Sequence, residues 1–479
     1  MSGEKKQDDV VELGDGRIAR PERFVLPGVS GITVLRKVDR GGKAGTEWQL
    51  LLRWTDGRRE AMQLPETISV GGDKVFLTPR PASPSPNLTS GWSRQSREAW
   101  LAGEASTAPD AICEQLLRAF AKYLDLPPDT AAGTAAMLAC WVTLTYLYPV
   151  FPSVPYLSIG GPAGSGKTRV FDLLEQVIFR PFKTSNITNP ALFRTLDGLG
   201  GAALLDEAER LSDSRSPDIA ELLSSLLSGY KRGGSVCRTE PAGEGRYEIR
   251  HFNVYGPKAL ACIRELPAAL ASRCVAIQMF RCSKDSGKHM LRLEDDDNIW
   301  QGIRDGLHCM ALDYGSDWLD LPSRSEDCPS MAGRNYELWQ PLLAIARWYE
   351  SHGAIGLHGL LRDYALGLVE SSREAATPPE DETLLRAMAK LVLTGARPTA
   401  SEALTAATEI DPGLFRSWSA KGAAVRLGQY GLKTQKSHGV RRYDASVADL
   451  RLVQERYGID LDIPPSADVH HVPHVPPSA

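Results

Sequence analysis

The sequence predicts an α/β core, a mostly parallel sheet with helices on both faces. A β-rich domain precedes it, and an α-helical segment and a winged-helix-like domain follow. Three observations carry this reading. Strand-like and helix-like segments alternate over residues 155–280, the pattern of parallel strands joined by crossover helices. Before them, the runs Trp48-Gln49-Leu50-Leu51-Leu52-Arg53-Trp54 and Arg59-Glu60-Ala61-Met62-Gln63-Leu64 flank Thr55-Asp56-Gly57, a hairpin turn signal. After them, helical patterns at 384–393, 401–407 and 420–428 lead to two short strands, 432–436 and 440–443, around Ser437-His438-Gly439. Three helices and a hairpin in that order describe a winged helix.

Taken in chain order, residues 1–18 are polar and acidic, read as disordered, and carry no signal peptide. Residues 19–80 form the β-rich domain, to which Gly31-Ile32-Thr33-Val34-Leu35 adds a strand. Residues 81–108 read as a linker, because Pro81, Pro84 and Pro86 alternate with Ser83, Ser85 and Asn87. A helix is expected over 112–124. Residues 130–154 carry no charge and are long enough to span a membrane. They run straight into the strand Tyr156-Leu157-Ser158-Ile159 and contain Gly133, Pro149 and Pro152, so they are read as a buried helix under the sheet and no membrane is expected. The core takes 109–285, and a helical lid takes 286–375, with helical spacing at 299–314 and 337–349. A charged, Pro-containing stretch at 372–382 leads to the winged-helix-like domain, 380–462. The Pro-, His- and Val-rich tail, 463–479, is expected to be flexible; His470, His471 and His474 would be a metal cluster only if it were ordered.

Over 479 residues, 42% hydrophobic and 24% charged residues describe an ordinary globular protein. The net charge of −4 means that any nucleic-acid contact must come from a local patch. The eight cysteines (Cys113, Cys140, Cys237, Cys262, Cys274, Cys282, Cys309, Cys328) contain no C-x-x-C pair and no zinc spacing. Reduced thiols in a cytoplasmic protein are the expectation.

The densest chemistry is Gly161-Pro162-Ala163-Gly164-Ser165-Gly166-Lys167-Thr168, which fits G-x-x-x-x-G-K-[ST]. Its glycines let backbone N–H groups turn inward around phosphate oxygens. Lys167 would reach the β- and γ-phosphates of ATP, and the Thr168 hydroxyl would hold Mg²⁺. The helix that opens with Arg169 favours an anion at its N-terminus, and Arg169 joins the nucleotide contacts. Further on, Ala202-Ala203-Leu204-Leu205-Asp206-Glu207 is an apolar strand ending in two carboxylates. Asp206 suits the metal and Glu207 the attacking water. The pair points to a hydrolase with its own catalytic carboxylate rather than a kinase or a GTPase switch.

Several ordered segments together resemble a family. They are Pro155 to Ile159 leading into Gly166-Lys167-Thr168; Ser185-Asn186-Ile187-Thr188 with Ala191-Leu192-Phe193-Arg194; and Leu204 to Ala208. Then follow Ser228-Gly229-Tyr230-Lys231-Arg232-Gly233-Gly234; Gly256-Pro257-Lys258-Ala259; Leu266-Pro267 with Ser272-Arg273-Cys274; and Trp339-Gln340-Pro341-Leu342-Leu343-Ala344-Ile345-Ala346. Over roughly 120–350 the chain resembles the P-loop ATPase domain of phage- and plasmid-encoded helicase/primase-like proteins. The resemblance implies an additional-strand, catalytic-glutamate ATPase, AAA+-like and active as a ring, with a hexamer expected. It implies that Arg273, before the last core strand, reaches a neighbour's γ-phosphate; otherwise it caps a strand. Arg334, entering a lid helix, is similar to a second sensor arginine, and Asn253 or Lys258 to the first sensor. Residues 19–80 show no acidic primase motif, so primase activity is not expected. They faintly resemble the β-rich front domain of a related phage/plasmid helicase family.

Two basic stretches are candidate DNA contacts. Residues 413–443 hold Arg416, Lys421, Arg426, Lys433, Lys436, Arg441 and Arg442 and no acid. That layout serves phosphate attraction from a recognition helix and wing, or is a solvated basic face. Lys231-Arg232, followed by Arg238, Arg246 and Arg250, would sit on a hairpin that lines a ring's pore and follows a single strand, or on a surface hairpin. The expected function is a Mg²⁺-dependent ATPase that moves along or unwinds DNA for a mobile element. The alternatives are an AAA+-like switch or remodeller acting on a protein partner, in defence or partitioning, and an ATP-controlled DNA-binding regulator.

Overall fold

The computed structural model describes residues 17–39, 41–78, 91–104, 108–212, 216–241, 243, 246–324, 328, 331–376, 378–437 and 439–464. The expectations for 1–16, for 81–90 and 105–107 of the linker and for the histidines of the tail lie outside these residues; the rest of the expected linker is not an extended connection but holds a helix, Arg94–Leu101, pinned by buried Trp92 and Trp100. The chain divides into two compact units, Met1–Tyr364 and Ala365–Ala479.

The first unit opens with seven strands: β1 (Arg17–Ala19), β2 (Arg23–Leu26), β3 (Val29–Asp39), β4 (Ala44–Trp54), β5 (Arg59–Gln63), β6 (Thr67–Val70) and β7 (Asp73–Leu77). They make a four-stranded sheet, β2-β3-β4-β5, and a three-stranded one, β1-β7-β6. Alternation along these strands places Phe24, Leu50, Leu52 and Val75 in one apolar core. Arginines fasten the β-region to helical segments later in the unit. Arg23 is 1% exposed and donates to the carbonyls of Tyr146 (3.0 Å), Gly31 (3.1 Å) and Ala311. Burial pulls its pKa down to about 9. Arg53 and Arg59 both reach Asp313 at 3.2 Å.

Three helices lead into the core: α1 (Arg94–Leu101), α2 (Pro109–Tyr123) and α3 (Ala131–Leu147). The uncharged stretch is α3. It is apolar all round because it is buried all round, packed on α2 and on later helices. Among the described residues, Ala131–Val150 is one span long and apolar enough to cross a membrane, and 89% of it is buried inside the protein.

The core elements are β8 (Tyr156–Gly160), α4 (Lys167–Val177), β9 (Pro181–Thr184), α5 (Asn189–Leu199), β10 (Ala202–Leu205), α6 (Pro217–Ser228), β11 (Ser235–Pro241), β12 (Tyr247–Asn253), β13 (Lys258–Cys262), α7 (Ala268–Ala271) and β14 (Cys274–Gln278). Five of the strands form one sheet in the order β14-β8-β13-β10-β9, with every neighbouring pair parallel. Helices flank it, as parallel strands require. Strand β13, late in sequence, is inserted between the glycine-loop strand β8 and the carboxylate strand β10. Between β10 and β13 the chain makes the antiparallel hairpin β11–β12. Four more helices follow: α8 (Asp297–Asp313), α9 (Gly315–Asp320), α10 (Gly333–Ser351) and α11 (Leu357–Ala376).

The second unit contains α12 (Pro379–Leu393), α13 (Ala400–Ile410), α14 (Ala420–Gln429), the hairpin β15 (Thr434–Ser437) and β16 (Val440–Tyr443), and α15 (Val447–Tyr457). Leu385, Met388, Ala403, Leu427, Tyr443 and Leu450 share its core. Helix α15 is not among the elements expected from sequence, although its start carries a capping box between Ser446 and Asp449.

Candidate functional site

The glycine loop joins β8 to α4 in a conformation that its residue types dictate. Gly161, Gly164 and Gly166 have φ of +154°, +75° and +88°, open to glycine and strained for other residues. A Cβ on Gly161 would fall 2.5 Å from Ser165 Oγ and 2.6 Å from the Met279 carbonyl oxygen, so a side chain there would close the loop. Gly166 is the N-cap of α4 and makes no side-chain cap bond, which leaves the first N–H groups of the helix for an anion. Ser165 is 2% exposed, and its hydroxyl has no partner among the described residues. Lys167 Nζ donates to the carbonyls of Gly161 (2.7 Å) and Pro162 (2.9 Å). These are neutral acceptors, which the ammonium can exchange for the stronger anionic oxygens of a phosphate. Arg169 faces elsewhere. It donates to the Leu291 carbonyl and lies 5.1 Å over the Tyr123 ring.

The acid pair closes β10. Asp206 N donates to the Thr184 carbonyl (2.9 Å), which continues the ladder with β9. Glu207 then turns with φ of +57°, a costly conformation for a non-glycine residue that recurs at functional sites. Its N–H donates to Asp206 Oδ1 (3.0 Å). Register sets the distance between the two halves. Cys262 of β13 is level with Gly160, and Leu260 is level with Leu205, which puts Glu207 level with Cys262. The loop entrance and the acid pair therefore lie at the same carboxyl edge, two strand spacings or about 10 Å apart. Thr168 and Asp206 offer two oxygen donors. That suits Mg²⁺, which keeps several waters and takes the rest of its shell from phosphates. Among the described residues, no group of three His, Cys, Asp or Glu forms a self-contained metal site.

Two residues beside this edge escaped the sequence reading. Arg210 donates to Asn186 Oδ1 (2.9 Å), and both follow strands next to or at the acid pair. With Glu207, Arg210 lines a small cavity of about 40 Å³. Exposed Arg264 is the second, two residues past the end of β13, the strand between loop and acids. A cation after the middle strand of three is a signal that the strand order alone makes visible.

The remaining expected site residues gather elsewhere. The Arg273 carbonyl accepts from Tyr156 N (3.0 Å), so Arg273 is level with the start of β8. One strand of five residues, about 16 Å, separates it from its own glycine loop. Its guanidinium donates to the Ala269 carbonyl and lies 5.9 Å from the Tyr230 ring; its Nε is buried without a partner among the described residues. Arg334 lies 4.9 Å over the same Tyr230 ring and pairs with Glu337. Lys231 pairs with Glu337 too, at 2.9 Å. Arg334 is thus not brought to the glycine loop of its own chain. The start of α10 is held at the amino edge of the sheet, where Ser153 donates to the Glu337 carbonyl (3.2 Å). Lys258 is equally distant from the nucleotide edge. It opens β13, is fully buried, and donates to the carbonyls of Val254 (2.8 Å), Gly256 (3.0 Å) and Gly229 (3.5 Å). Burial pulls its pKa down to about 7. Asn253 Oδ1 accepts from Tyr255 N (3.2 Å) at the root of the hairpin. Neither residue stands where a sensor of its own nucleotide would.

The two basic stretches differ in how their charge is spent. Arg232 donates to the Pro149 carbonyl (3.3 Å), while Arg238 is paired with Glu221 (2.6 Å). In the second unit, Arg426 turns inward to buried Asp381 (3.1 Å), and Arg442 pairs with Glu402 (3.3 Å). Lys421, Lys433, Lys436 and Arg441 are exposed. Lys436 and Arg441 are directly opposed across the β15–β16 ladder, a like-charge pair that an anion would relieve.

No protein-family model matches the chain, and no curated protein matches it. Among solved structures it is similar to the apo NrS-1 C-terminal region, at 12% identity and a TM-score of 0.34, covering 82% of this chain and 93% of that one. It is also similar to the JCV helicase, at 16% identity and a TM-score of 0.23, covering 57% and 76%. An inhibitor-bound form of the JCV helicase matches at 16% identity and a TM-score of 0.25, covering 51% and 74%. Likeness this distant transfers no activity, and the nucleotide reading stands on the loop and the acid pair alone.

Proposed function

We propose that this chain is a Mg²⁺-dependent ATPase that translocates along or unwinds DNA as a ring, hexameric by the resemblance, in the service of a mobile element. One observation supports the ATPase reading most: the glycine loop and the Asp206–Glu207 turn end two strands of one parallel sheet, level with each other and separated only by β13. The loop N–H groups, the Ser165 hydroxyl and Lys167 would bind the phosphates. Thr168 and Asp206 would hold Mg²⁺, which neutralises charge that develops on the transferred phosphoryl group. Glu207 would orient the attacking water and take its proton. Arg264, past β13, would lie between the phosphates and the acids.

Arg273 and Arg334 lie at the opposite edge of the sheet, so the reading gives both to a neighbouring subunit's nucleotide. A charge supplied in trans makes hydrolysis depend on assembly. The exposed cations of the second unit, Lys421, Lys433, Lys436 and Arg441, support a winged-helix-like DNA contact.

The deciding experiment is ATP turnover by the purified chain, with and without single-stranded DNA, beside Lys167→Ala. Turnover stimulated by DNA and abolished by the substitution is the expected result. Turnover that ignores DNA would favour the remodelling reading, and turnover that survives the loss of Lys167 would remove the loop from the mechanism.

A further inference from the structure

Tyr230 follows α6 and is 1% exposed. Its backbone is tied to the segment that leads into β8. The Tyr230 carbonyl accepts from Val154 N (3.0 Å), and two residues on, Arg232 N donates to the Pro152 carbonyl (2.9 Å). Tyr156, the first residue of β8, meets the Tyr230 ring at 83°, with the centroids 5.9 Å apart. The Tyr156 hydroxyl in turn donates to the Leu226 carbonyl of α6 (2.8 Å). Backbone bonds and a neighbouring ring thus fix this side chain from two directions.

Two guanidinium groups lie against the ring so fixed, Arg334 at 4.9 Å and Arg273 at 5.9 Å from its centroid. They come from distant parts of the chain. Arg273 directly precedes β14, and Arg334 is in the first turn of α10. Burial pushes the Tyr230 phenol up to about 12, so the ring is neutral near pH 7. It attracts both cations through its π-system and neutralises neither. Their other partners differ. Arg334 pairs with Glu337, whose second oxygen takes Lys231 (2.9 Å). Among the described residues, Arg273 bonds one neutral carbonyl, that of Ala269, and its Nε is buried without a partner. A guanidinium with a spare donor and no counter-ion keeps its direction only if a rigid neighbour supports it.

We propose that Tyr230 is the positioning residue of the amino edge: its ring sets the place and direction of Arg273 and Arg334, the two cations that the proposed reading presents to a neighbouring subunit's nucleotide. An arginine offered across an interface is useful only where the phosphates arrive. A misplacement of about 1 Å can cost on the order of 10²-fold in rate. One ring beside both arginines ties them to a single support. This inference rests on the reading that gives the amino edge to a neighbour.

The test is steady-state ATP turnover by the full chain, at concentrations where subunits associate, for Tyr230→Phe and Tyr230→Leu. Tyr230→Phe keeps the ring and should retain wild-type turnover. Tyr230→Leu should lower kcat about 10²-fold with the KM for ATP unchanged. Mixing Tyr230→Leu with Glu207→Gln should then recover part of the activity, because some interfaces pair an intact amino edge with an intact carboxyl edge. A ring that merely fills the core, or serves its own nucleotide, gives no such recovery. Wild-type turnover by Tyr230→Leu would overturn the proposal. So would a loss in Tyr230→Phe as large as in Tyr230→Leu, or a loss in Tyr230→Leu that mixing leaves in place while the same mixing restores Arg273→Ala. If Tyr230→Leu does not associate by light scattering, Tyr230→Met takes its place; failure of both to associate would assign the ring to folding and also overturn the proposal. If Arg273→Ala itself turns over as wild type, the neighbour reading falls first and takes this one with it.

Discussion

The two edges of the central sheet differ in what they carry, and the proposed reading makes them two halves of one chemistry. The carboxyl edge holds the glycine loop, Lys167 and the acid pair. The amino edge holds Arg273, Arg334 and Lys231 around Tyr230. The strand β8 links the edges and also separates them, by about 16 Å, which no arginine side chain spans. The carboxyl edge carries Lys167, with Arg210 and Arg264 beside it. The amino edge has cations and, among the described residues, no glycine loop of this kind. In the proposed reading, a second copy would bring the two edges together.

Breaking that complementarity should give the largest effects. Arg273→Ala should leave nucleotide binding intact and slow turnover by about 10³-fold or more in the assembled protein. Turnover unchanged at concentrations where subunits associate would show that the amino edge is not a partner of the carboxyl edge. Glu207→Gln should cost about 10² to 10⁴ in turnover while the protein still binds ATP. Mixing Arg273→Ala with Glu207→Gln should recover part of the lost activity, since some interfaces then pair an intact Arg273 with an intact Glu207. Arg334→Ala sharpens the same comparison. It should lower turnover without raising the KM for ATP, whereas a raised KM alone would return Arg334 to its own nucleotide.

A smaller contrast lies within the second unit, between the exposed cations at the β15–β16 hairpin and Arg426 of α14. Replacing Lys433, Lys436 and Arg441 together by Ala should flatten the salt dependence of duplex binding by roughly 2.7 in log–log slope, three phosphates at about 0.9 each. Replacing Arg426 should leave that slope alone and destabilise the second unit, because buried Asp381 would lose its counter-ion. Equal slopes in the two variants would erase the distinction.

Smallest and most gradual is the effect of Lys258, whose pKa burial lowers from 10.5 to about 7. Between those values the unfolded chain binds more protons, so this group makes stability rise with pH from about 7 towards 10. Lys258→Met should remove that part of the pH dependence of Tm. A variant whose Tm follows the wild-type curve over that interval would mean the lysine keeps its proton in the fold through its three carbonyls.

Local patterns proved legible where the chemistry is local. The glycine loop needs positive φ at fixed positions, and only particular residue types meet that need, so its conformation is written in consecutive residues. The strands and helices of the second unit were visible as periodicity, and α15 was missed although its capping box is a local signal. Arg210 and Arg264 could not be found in the same way. Each matters only because β13 and β9 flank β10, and strand order is a non-local property. Arg334 was expected as a second sensor arginine by resemblance alone; the packing of α10 against the segment before β8 sets it at the amino edge.

By itself, the amino-acid sequence determined that a tight glycine loop and a paired acid exist, because both are built from neighbouring residues whose backbone freedom or charge is a local property. The tertiary structure alone decided which groups share an edge and which charges remain free. Those outcomes depend on register, insertion of β13 and burial, each of which joins residues tens to hundreds of positions apart and leaves no mark in any short stretch of chain.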